Sequence, residues 1–187
     1  MARPEAAFCR TCGHAMQRAV PPMEDRERAV CPNCGFIDYV NPINVVGTVP
    51  VWGETGEQVL LCRRNIEPRK GFWTLPAGFL EAGETALDGA LRETWEEAGA
   101  RVHVDGLFTV LDVVYAQQVH LYWRVRLADL DLDPGPETIE CQLFHVDELP
   151  WGELAFLTVI QTLEHYVADR RTGSFGVHYG EVVWPRP

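Results

Sequence analysis

The fold of this 187-residue chain is decided by one stretch of its sequence, Gly78-Phe-Leu-Glu81-Ala-Gly83-Glu84-Thr85-Ala-Leu87-Asp88-Gly89-Ala90-Leu91-Arg92-Glu93-Thr94-Trp95-Glu96-Glu97-Ala98-Gly99-Ala100. The glycines at both ends and at position 83 predict a loop, a helix and a second loop. Thr85 is the predicted N-cap, and Asp88 follows it at the spacing of a capping box. Gly99 stands where a helix C-terminus commonly closes. The stretch therefore predicts a helix over residues 85–98.

The predicted helix gathers negative charge on one side. At about 100° per residue, Glu93, Glu96 and Glu97 share an arc of about 100°. A separate, core-directed face carries Leu87, Leu91, Thr94 and Ala98. Like charges at these spacings repel by roughly a few tenths of a kcal/mol per pair. Because the arrangement costs stability and concentrates carboxylate oxygens, it indicates a site for a hard cation such as Mg²⁺ or Mn²⁺.

Working outward, alternating apolar runs and turn residues predict strands mixed with helices. The predicted strands cover residues 45–52, 59–64, 73–79, 107–116, 119–127, 139–146 and 177–183, and a second helix is predicted over residues 153–170. This order predicts an α/β fold in which helices pack on a mixed sheet.

The glutamate stretch resembles the Nudix box, G-x5-E-x7-R-E-U-x-E-E-x-G-U, in which U is apolar. The matching residues are Gly78, Glu84, Arg92, Glu93, Glu96, Glu97, Gly99 and Ala100. Thr94 at the first U position is the one soft departure, and its methyl group is compatible with packing. The resemblance implies an α/β/α sandwich around a mixed sheet and hydrolysis of a nucleoside diphosphate derivative.

The resemblance also implies residue roles. Glu93, Glu96 and Glu97 would bind catalytic Mg²⁺ or Mn²⁺. Arg92 would orient a neighbouring carboxylate, and Gly78 would let the backbone approach the substrate. Glu84 would support the loop.

A general base is still required. Glu137 and Glu140 precede or begin a late predicted strand, where many Nudix proteins place a glutamate that reaches the metals or the attacking water. Glu140 fits that position better and is also predicted as a metal ligand, while Glu137 is the alternative base.

Four cysteines near the N-terminus form two Cys-x-x-Cys pairs, Cys9/Cys12 and Cys31/Cys34, each followed by glycine. This spacing is typical of a four-thiolate structural Zn²⁺ site. Two disulfides are the alternative, which a reducing cytosol disfavours. We therefore predict a zinc ribbon over residues 1–40 and a Nudix domain over residues 41–187. The remaining Cys62 and Cys141 lie in apolar runs and are predicted to be buried and structural.

The charge balance argues against a nucleic-acid partner. The formal net charge is −11, and no basic patch is visible; the predicted ribbon carries five arginines against five acidic residues within residues 1–44. Proteins that neutralise phosphates usually display a basic surface. We therefore expect the ribbon to support folding or contact a partner rather than to grip RNA.

The chain shows no continuous apolar run of about 18 residues that would span a membrane. It also lacks the long apolar segment of a signal peptide at its N-terminus. We expect a cytoplasmic protein and, by resemblance to other Nudix pyrophosphatases, a homodimer.

Two branches of the family combine a ribbon with a Nudix box. The NADH pyrophosphatases, which also remove NAD caps from RNA, carry a Ser-Gln-Pro-Trp-Pro-Phe-Pro-x-Ser array after the box, and this chain has no such array. The segments that begin at Arg64, Gly71, Arg92 and Pro134 resemble the plant FAD pyrophosphatase type, which also hydrolyses ADP-ribose. The resemblance makes FAD or ADP-ribose the expected substrate.

The predicted substrate-binding residues are Gly78, Arg64, Trp73 and Phe79. Trp73 and Phe79, with Tyr122 and Trp123, could stack on adenine or flavin; the alternative is that these aromatic side chains belong to the core. Two competing functions stay open: an NADH or NAD-cap hydrolase, and a non-catalytic module that senses a nucleotide.

Overall fold

The computed structural model describes residues 6–184. The chain divides after Pro42 into two compact units. Within the described part, no helix is long and apolar enough to cross a membrane.

The first unit is a small antiparallel sheet of three short strands. They are β1 (Gln17–Ala19), β2 (Arg28–Val30) and β3 (Ile37–Asp38), in the order β1-β2-β3. Two equivalent turns carry the cysteines. The Gly13 amide donates to the Cys9 carbonyl at 2.8 Å and the Gly35 amide to the Cys31 carbonyl at 2.9 Å. Both glycines have positive φ, 75° and 74°, which explains the residue after each cysteine pair.

The second unit is built on a mixed eight-stranded sheet. Its strands are β4 (Ile43–Trp52), β5 (Gln58–Arg64), β6 (Trp73–Thr74), β7 (Ala77–Phe79), β8 (Val102–Val113), β9 (Gln118–Leu127), β10 (Thr138–His145) and β11 (His178–Glu181). The main path runs β10-β5-β4-β9-β8-β11, with β6 paired to β5 and β7 to β4. The β4–β9 and β8–β11 pairs are parallel, while the other pairs are antiparallel.

Two long helices, α1 (Ala86–Ala98) and α2 (Leu157–Thr172), cover opposite faces of this sheet. The cluster under α2 includes Val59, Leu61, Val159 and Leu163. The cluster under α1 includes Leu60, Cys62 and Ala98. Because successive side chains along β5 point to opposite faces, the helices flank the sheet. The predicted α/β/α sandwich is confirmed.

Three elements depart most from their predicted bounds. Strand 73–79 is divided because Pro76 lacks an amide hydrogen, and its carbonyl accepts from the Thr48 amide at 3.0 Å. β8 begins five residues before its predicted start. Its pairing with β9 shifts register between Val104 and Gly106 but continues on both sides of the shift. Helix α2 begins at Leu157, because the segment before it forms a 3-10 turn and a bridge between Leu154 and Trp73.

Candidate active site

Helix α1 presents the glutamates as the local sequence predicts. The Thr85 side chain accepts from the Asp88 amide at 3.1 Å and donates to Asp88 Oδ2 at 2.7 Å. Gly99 closes the helix in the left-handed region, with its amide bonded to the Trp95 carbonyl. Both predicted caps are confirmed, and they fix where the glutamates fall around the helix.

Glu97 is a buried carboxylate, with 8% of its surface exposed. Its Oε2 accepts a hydrogen bond from the Ala77 amide at 3.3 Å. The pKa of Glu97 is raised to about 8, first by burial and then by the negative charges of Glu93 and Glu137, while the Ala77 amide and the charge of Arg64 oppose the rise. The buried carboxylate therefore stands among other acids with one weak donor, a position that favours a bound cation.

Glu93 lies against the backbone of β7. A Cβ at Gly78 would overlap the Glu93 carboxylate, so a larger residue here would force this side chain to move. Burial raises the pKa of Glu93, and its pair with Arg92 opposes that effect. The close approach predicted at Gly78 is thus made, in this structure, by the Glu93 side chain.

Arg92 joins the loop to the glutamates of the helix. Its Nε and Nη2 bind the two carboxylate oxygens of Glu84 at 3.0 and 2.8 Å. Its Nη1 donates to Glu93 at 2.7 Å and to Glu96 at 3.1 Å, and Nη2 also donates to the Phe79 carbonyl at 3.1 Å. Arg92, followed by the Glu81 amide, lowers the pKa of Glu84 to about 2. One guanidinium therefore sets the orientation of three carboxylates.

The departure at Thr94 has a structural explanation. Thr94 is fully buried and donates to the Ala90 carbonyl at 2.7 Å. Its hydroxyl also lies 2.7 Å from that of Thr48, which is equally buried in β4. A polar pair therefore replaces an apolar contact and ties the helix to the sheet one residue after Glu93.

The structure places Glu140, the predicted metal ligand and base, in an ion pair with Arg63 and not beside the helix glutamates. The β10–β5 register sets Glu140 opposite Arg63, whose Nη1 donates to Glu140 at 2.9 Å. Arg63 alternates with Leu61 along β5 and so belongs to the face covered by α2. Helix α1 covers the other face, so Glu140 does not join the helix glutamates. Glu137 is close enough for its charge to raise the pKa of both Glu93 and Glu97.

The predicted substrate-binding aromatics separate into two groups. Phe79 is 59% exposed, and its carbonyl accepts from Arg92. Trp73 is 6% exposed, and its ring packs edge-on against Phe144 with the centroids 4.9 Å apart. Tyr122 and Trp123 are also buried. The burial of these three rings agrees with the alternative that they belong to the core, whereas Phe79 is exposed beside the site.

Arg64 lies near the site, but its guanidinium already contacts other residues of the protein. Its Nε donates to the Pro68 carbonyl at 2.9 Å, and its guanidinium lies over the Phe156 ring, 5.0 Å from the centroid. It still lowers the pKa of Glu97 through its charge. These contacts hold a positive charge at the edge of an acidic site.

Two kinds of candidate metal site are present. The first is formed by Cys9, Cys12, Cys31 and Cys34, whose sulfur atoms all lie within 4.8 Å of one another. Within residues 6–184, no other group of three or more His, Cys, Asp or Glu side chains meets this condition. These four thiols suit Zn²⁺. The helix glutamates do not meet this distance condition, and two of them, Glu93 and Glu96, are bonded to Arg92. Their oxygen donors, with a buried Glu97 that forms no ion pair within residues 6–184, suit Mg²⁺ or Mn²⁺.

Sequence reasoning missed residues that shape this site from a distance. Gly135 packs against the end of α1, where a Cβ would overlap the Glu96 carbonyl. Asn65 binds the same loop from the other side. The glycine between two prolines at 134–136 was an available signal, whereas nothing local marks Asn65.

Comparison of the sequence with models of known protein families identifies the family. The model for the NUDIX domain matches residues 42–163. The chain belongs to the Nudix family. The model described as Nudix N-terminal, a zinc ribbon, matches residues 7–40. The Nudix box and the ribbon recognised in the sequence are thereby confirmed.

Similar Nudix proteins include one that matches nearly the whole chain. A NUDIX hydrolase from Nitrosomonas europaea is 41% identical, with a TM-score of 0.89, and the match covers 95% of this chain and 99% of that one. An ADP-ribose pyrophosphatase from Streptococcus suis shares the fold, at 22% identity and a TM-score of 0.59, over 76% of this chain and all of that one.

Curated relatives are longer. The NAD-capped RNA hydrolase NudC of Stutzerimonas stutzeri is 30% identical over 149 residues, which cover 76% of this chain and 49% of the relative. The same-named protein of Haemophilus influenzae (strain PittGG) is 33% identical over 97 residues, which cover 51% of this chain and 34% of the relative. In these matches, the chain spans half or less of the length of the relative.

Proposed function

We propose that this Nudix protein hydrolyses the diphosphate linkage of a nucleoside diphosphate derivative and releases a nucleoside monophosphate. The observation that carries the proposal is the buried Glu97 carboxylate, grouped with Glu93 and Glu137 and unpaired within the described residues. A buried carboxylate without a counter-charge is costly. A buried cluster of carboxylates of this kind is typical of a site that binds a cation together with an anionic substrate.

The side chains divide the chemical work. Glu97 and Glu93 would hold a divalent cation, with Glu96 at the exposed edge of the same arc. Arg92 keeps the carboxylates of Glu93 and Glu96 in place through its two bonds to them. When bound, Mg²⁺ or Mn²⁺ would offset the charge on the diphosphate oxygens and acidify a water.

Glu137 is the proposed general base. It is exposed, and its carboxylate makes no hydrogen bond or ion pair with any residue in the described range 6–184. A free, exposed carboxylate close to the helix glutamates can accept a proton from the attacking water. Glu140 is bonded to Arg63 and does not meet this condition.

FAD or ADP-ribose is the proposed substrate. The support is the resemblance of several segments to the plant FAD pyrophosphatase type, together with an exposed Phe79 beside the site for an aromatic base. The Arg64 charge near Glu97 suits an anionic group next to the scissile linkage.

A second candidate is hydrolysis of NADH or of an NAD cap on RNA. The names of the curated relatives favour it. The net charge of −11 and the missing Ser-Gln-Pro-Trp array count against it.

The test is a panel assay with Mg²⁺ or Mn²⁺ on FAD, ADP-ribose, NADH and NAD-capped RNA, with the products separated by chromatography. We expect AMP from FAD or ADP-ribose, at a kcat/KM at least about tenfold above that for NADH and for capped RNA. A preference for capped RNA would establish the second candidate. If no compound is cleaved, the proposed hydrolysis of this substrate class is wrong.

A further inference from the structure

The loop that carries Glu137 is anchored to the C-terminal turn of α1. The Asp133 amide donates to the Ala98 carbonyl at 2.9 Å, and the Gly135 amide to the Glu97 carbonyl at 3.4 Å. The last carbonyls of a helix have no partner within the helix, and besides the loop only the Cys141 thiol, at 3.8 Å from the Glu97 carbonyl, contacts this pair among the described residues. The loop therefore caps the helix that bears the glutamates.

Gly135 makes this anchoring possible. A Cβ at position 135 would overlap the carbonyl oxygen of Glu96, which is backbone and cannot swing aside. Any larger residue would lift the loop away from the helix. The approach of loop 133–137 to α1 thus depends on the absence of a side chain at this one position.

Asn65 holds the same loop from the other side. Its backbone amide donates to the Glu137 carbonyl at 2.8 Å. Its Nδ2 donates to the Pro136 carbonyl at 3.0 Å. Asn65 follows directly after β5, so these bonds fasten the loop to the central sheet.

These anchors matter because, within residues 6–184, the Glu137 side chain has no bond of its own. Its carboxylate is exposed and makes no bond among the described residues, so the position of its backbone decides where the carboxylate can reach. The carbonyl of Glu137 and that of the residue before it are both held by Asn65. Small displacements of a reacting group by about 1 Å can cost about a hundredfold in rate.

We propose that Asn65 and Gly135 are positioning residues that together hold Glu137 toward the glutamates of α1. The proposal rests on the proposed function and deepens it, because it assigns the placement of the base to a two-sided backbone clamp. Asn65 acts through the loop and does not touch the substrate.

The experiment compares Asn65→Ala with wild type in hydrolysis of ADP-ribose with Mg²⁺, alone and in the Glu137→Gln background. We expect Asn65→Ala to lower kcat about tenfold and to change KM less than about twofold. In the Glu137→Gln background the same change should lower kcat less than about twofold, because the residue it positions is already disabled. Asn65→Gln, which keeps the amide donor, should recover part of the loss.

The matched control is Ile66→Ala, since Ile66 is the exposed neighbour of Asn65. It should retain the wild-type kcat. Asn65→Ala overturns the proposal if it lowers kcat equally in both backgrounds, if it leaves kcat unchanged, or if it raises KM alone. In the last case Asn65 would be a substrate ligand.

Amide hydrogen exchange separates failure of the clamp from failure of the proposed function. Asn65→Ala should speed exchange in residues 133–138 while α1 stays protected, whether or not the protein cleaves ADP-ribose. Unchanged exchange in this loop would overturn the clamp. If wild type cleaves no diphosphate but Asn65→Ala still speeds exchange in this loop, the proposed hydrolysis is wrong, and Asn65 nevertheless anchors the loop.

Discussion

At the scale of single residues, Glu97 combines properties that oppose folding. It is buried, it accepts one long hydrogen bond from Ala77, and it stands near the negative charges of Glu93 and Glu137. Burial and the neighbouring negative charges disfavour its ionised form, and the bond from Ala77 offsets only part of this effect. The side chain is therefore a functional group that the fold tolerates rather than one that stabilises it.

The raised pKa of Glu97 predicts a dependence of stability on pH without added divalent metal. The folded protein holds this proton up to about pH 8, whereas the unfolded chain loses it near the ordinary value of 4.5. Because the folded state binds more protons in this window, the free energy of unfolding contributed by Glu97 falls as pH rises from 4.5 to about 8. Urea unfolding at several pH values measures the slope, which Glu97→Gln should reduce; an equal slope in the variant contradicts the assignment.

At the scale of elements, helix α1 and the loop before it act as one unit through Arg92. Its guanidinium contacts Glu84, Glu93, Glu96 and the Phe79 carbonyl at once. The planar fork of arginine makes several directed bonds that the point charge of lysine cannot reproduce.

We therefore expect Arg92→Lys to lower kcat for ADP-ribose about a hundredfold although the charge is kept. The matched control is Arg101→Lys, because Arg101 binds both carboxylate oxygens of Asp129 in the same bidentate manner but contacts none of the α1 glutamates. Steady-state kinetics of both variants check the prediction. Equal, small effects of the two changes would show that the Arg92 fork does not order the site.

The same elements show what sequence could and could not predict. The helix, its caps and its glutamates follow from residues within one stretch of 23, so their geometry is local and was predicted. The choice between Glu137 and Glu140 depends on the pairing of β10 with β5 and on the irregularity between Thr138 and Glu140. A register shift of one residue exchanges the faces of a strand, and a single sequence does not specify that register.

Which of the aromatic side chains are buried likewise depends on tertiary structure. Trp73 and Phe79 stand six residues apart in a run with similar composition, yet one enters the core and the other is exposed. Pro76 divides the run into β6 and β7, which pair with different strands. The interruption was visible in the sequence, but the two partners were not.

At the scale of the whole molecule, the ribbon and the Nudix domain are two compact units, and each has its own candidate metal ligands. Among the described residues, the hydrophobic clusters of the sandwich include no residue before position 43. The ribbon instead gathers four thiols, with Sγ atoms of Cys9 and Cys34 3.6 Å apart and those of Cys12 and Cys31 3.5 Å apart. The predicted homodimer and cytoplasmic location stay predictions.

The thiol cluster predicts about one tightly bound zinc per chain. Cys12→Ser should lose the metal and unfold the ribbon, because a small metal site contributes directly to the folding free energy. Cys141→Ser, which alters a half-buried cysteine outside the cluster, should keep it. Metal analysis of the purified proteins, with amide exchange over residues 7–40, gives the readout. Zinc retained by Cys12→Ser would contradict the four-thiolate site.

The most direct test of the account is hydrolysis of ADP-ribose and FAD with Mg²⁺ or Mn²⁺ by wild type, Glu97→Gln and Glu164→Gln. Glu164 is an exposed glutamate on α2, away from the glutamate helix, and serves as the matched control. We predict that wild type and Glu164→Gln release AMP alike, while Glu97→Gln loses about a hundredfold in kcat, roughly 2.7 kcal/mol of barrier. Turnover by Glu97→Gln at the wild-type rate would contradict the claim that the buried glutamate of α1 is the centre of the active site.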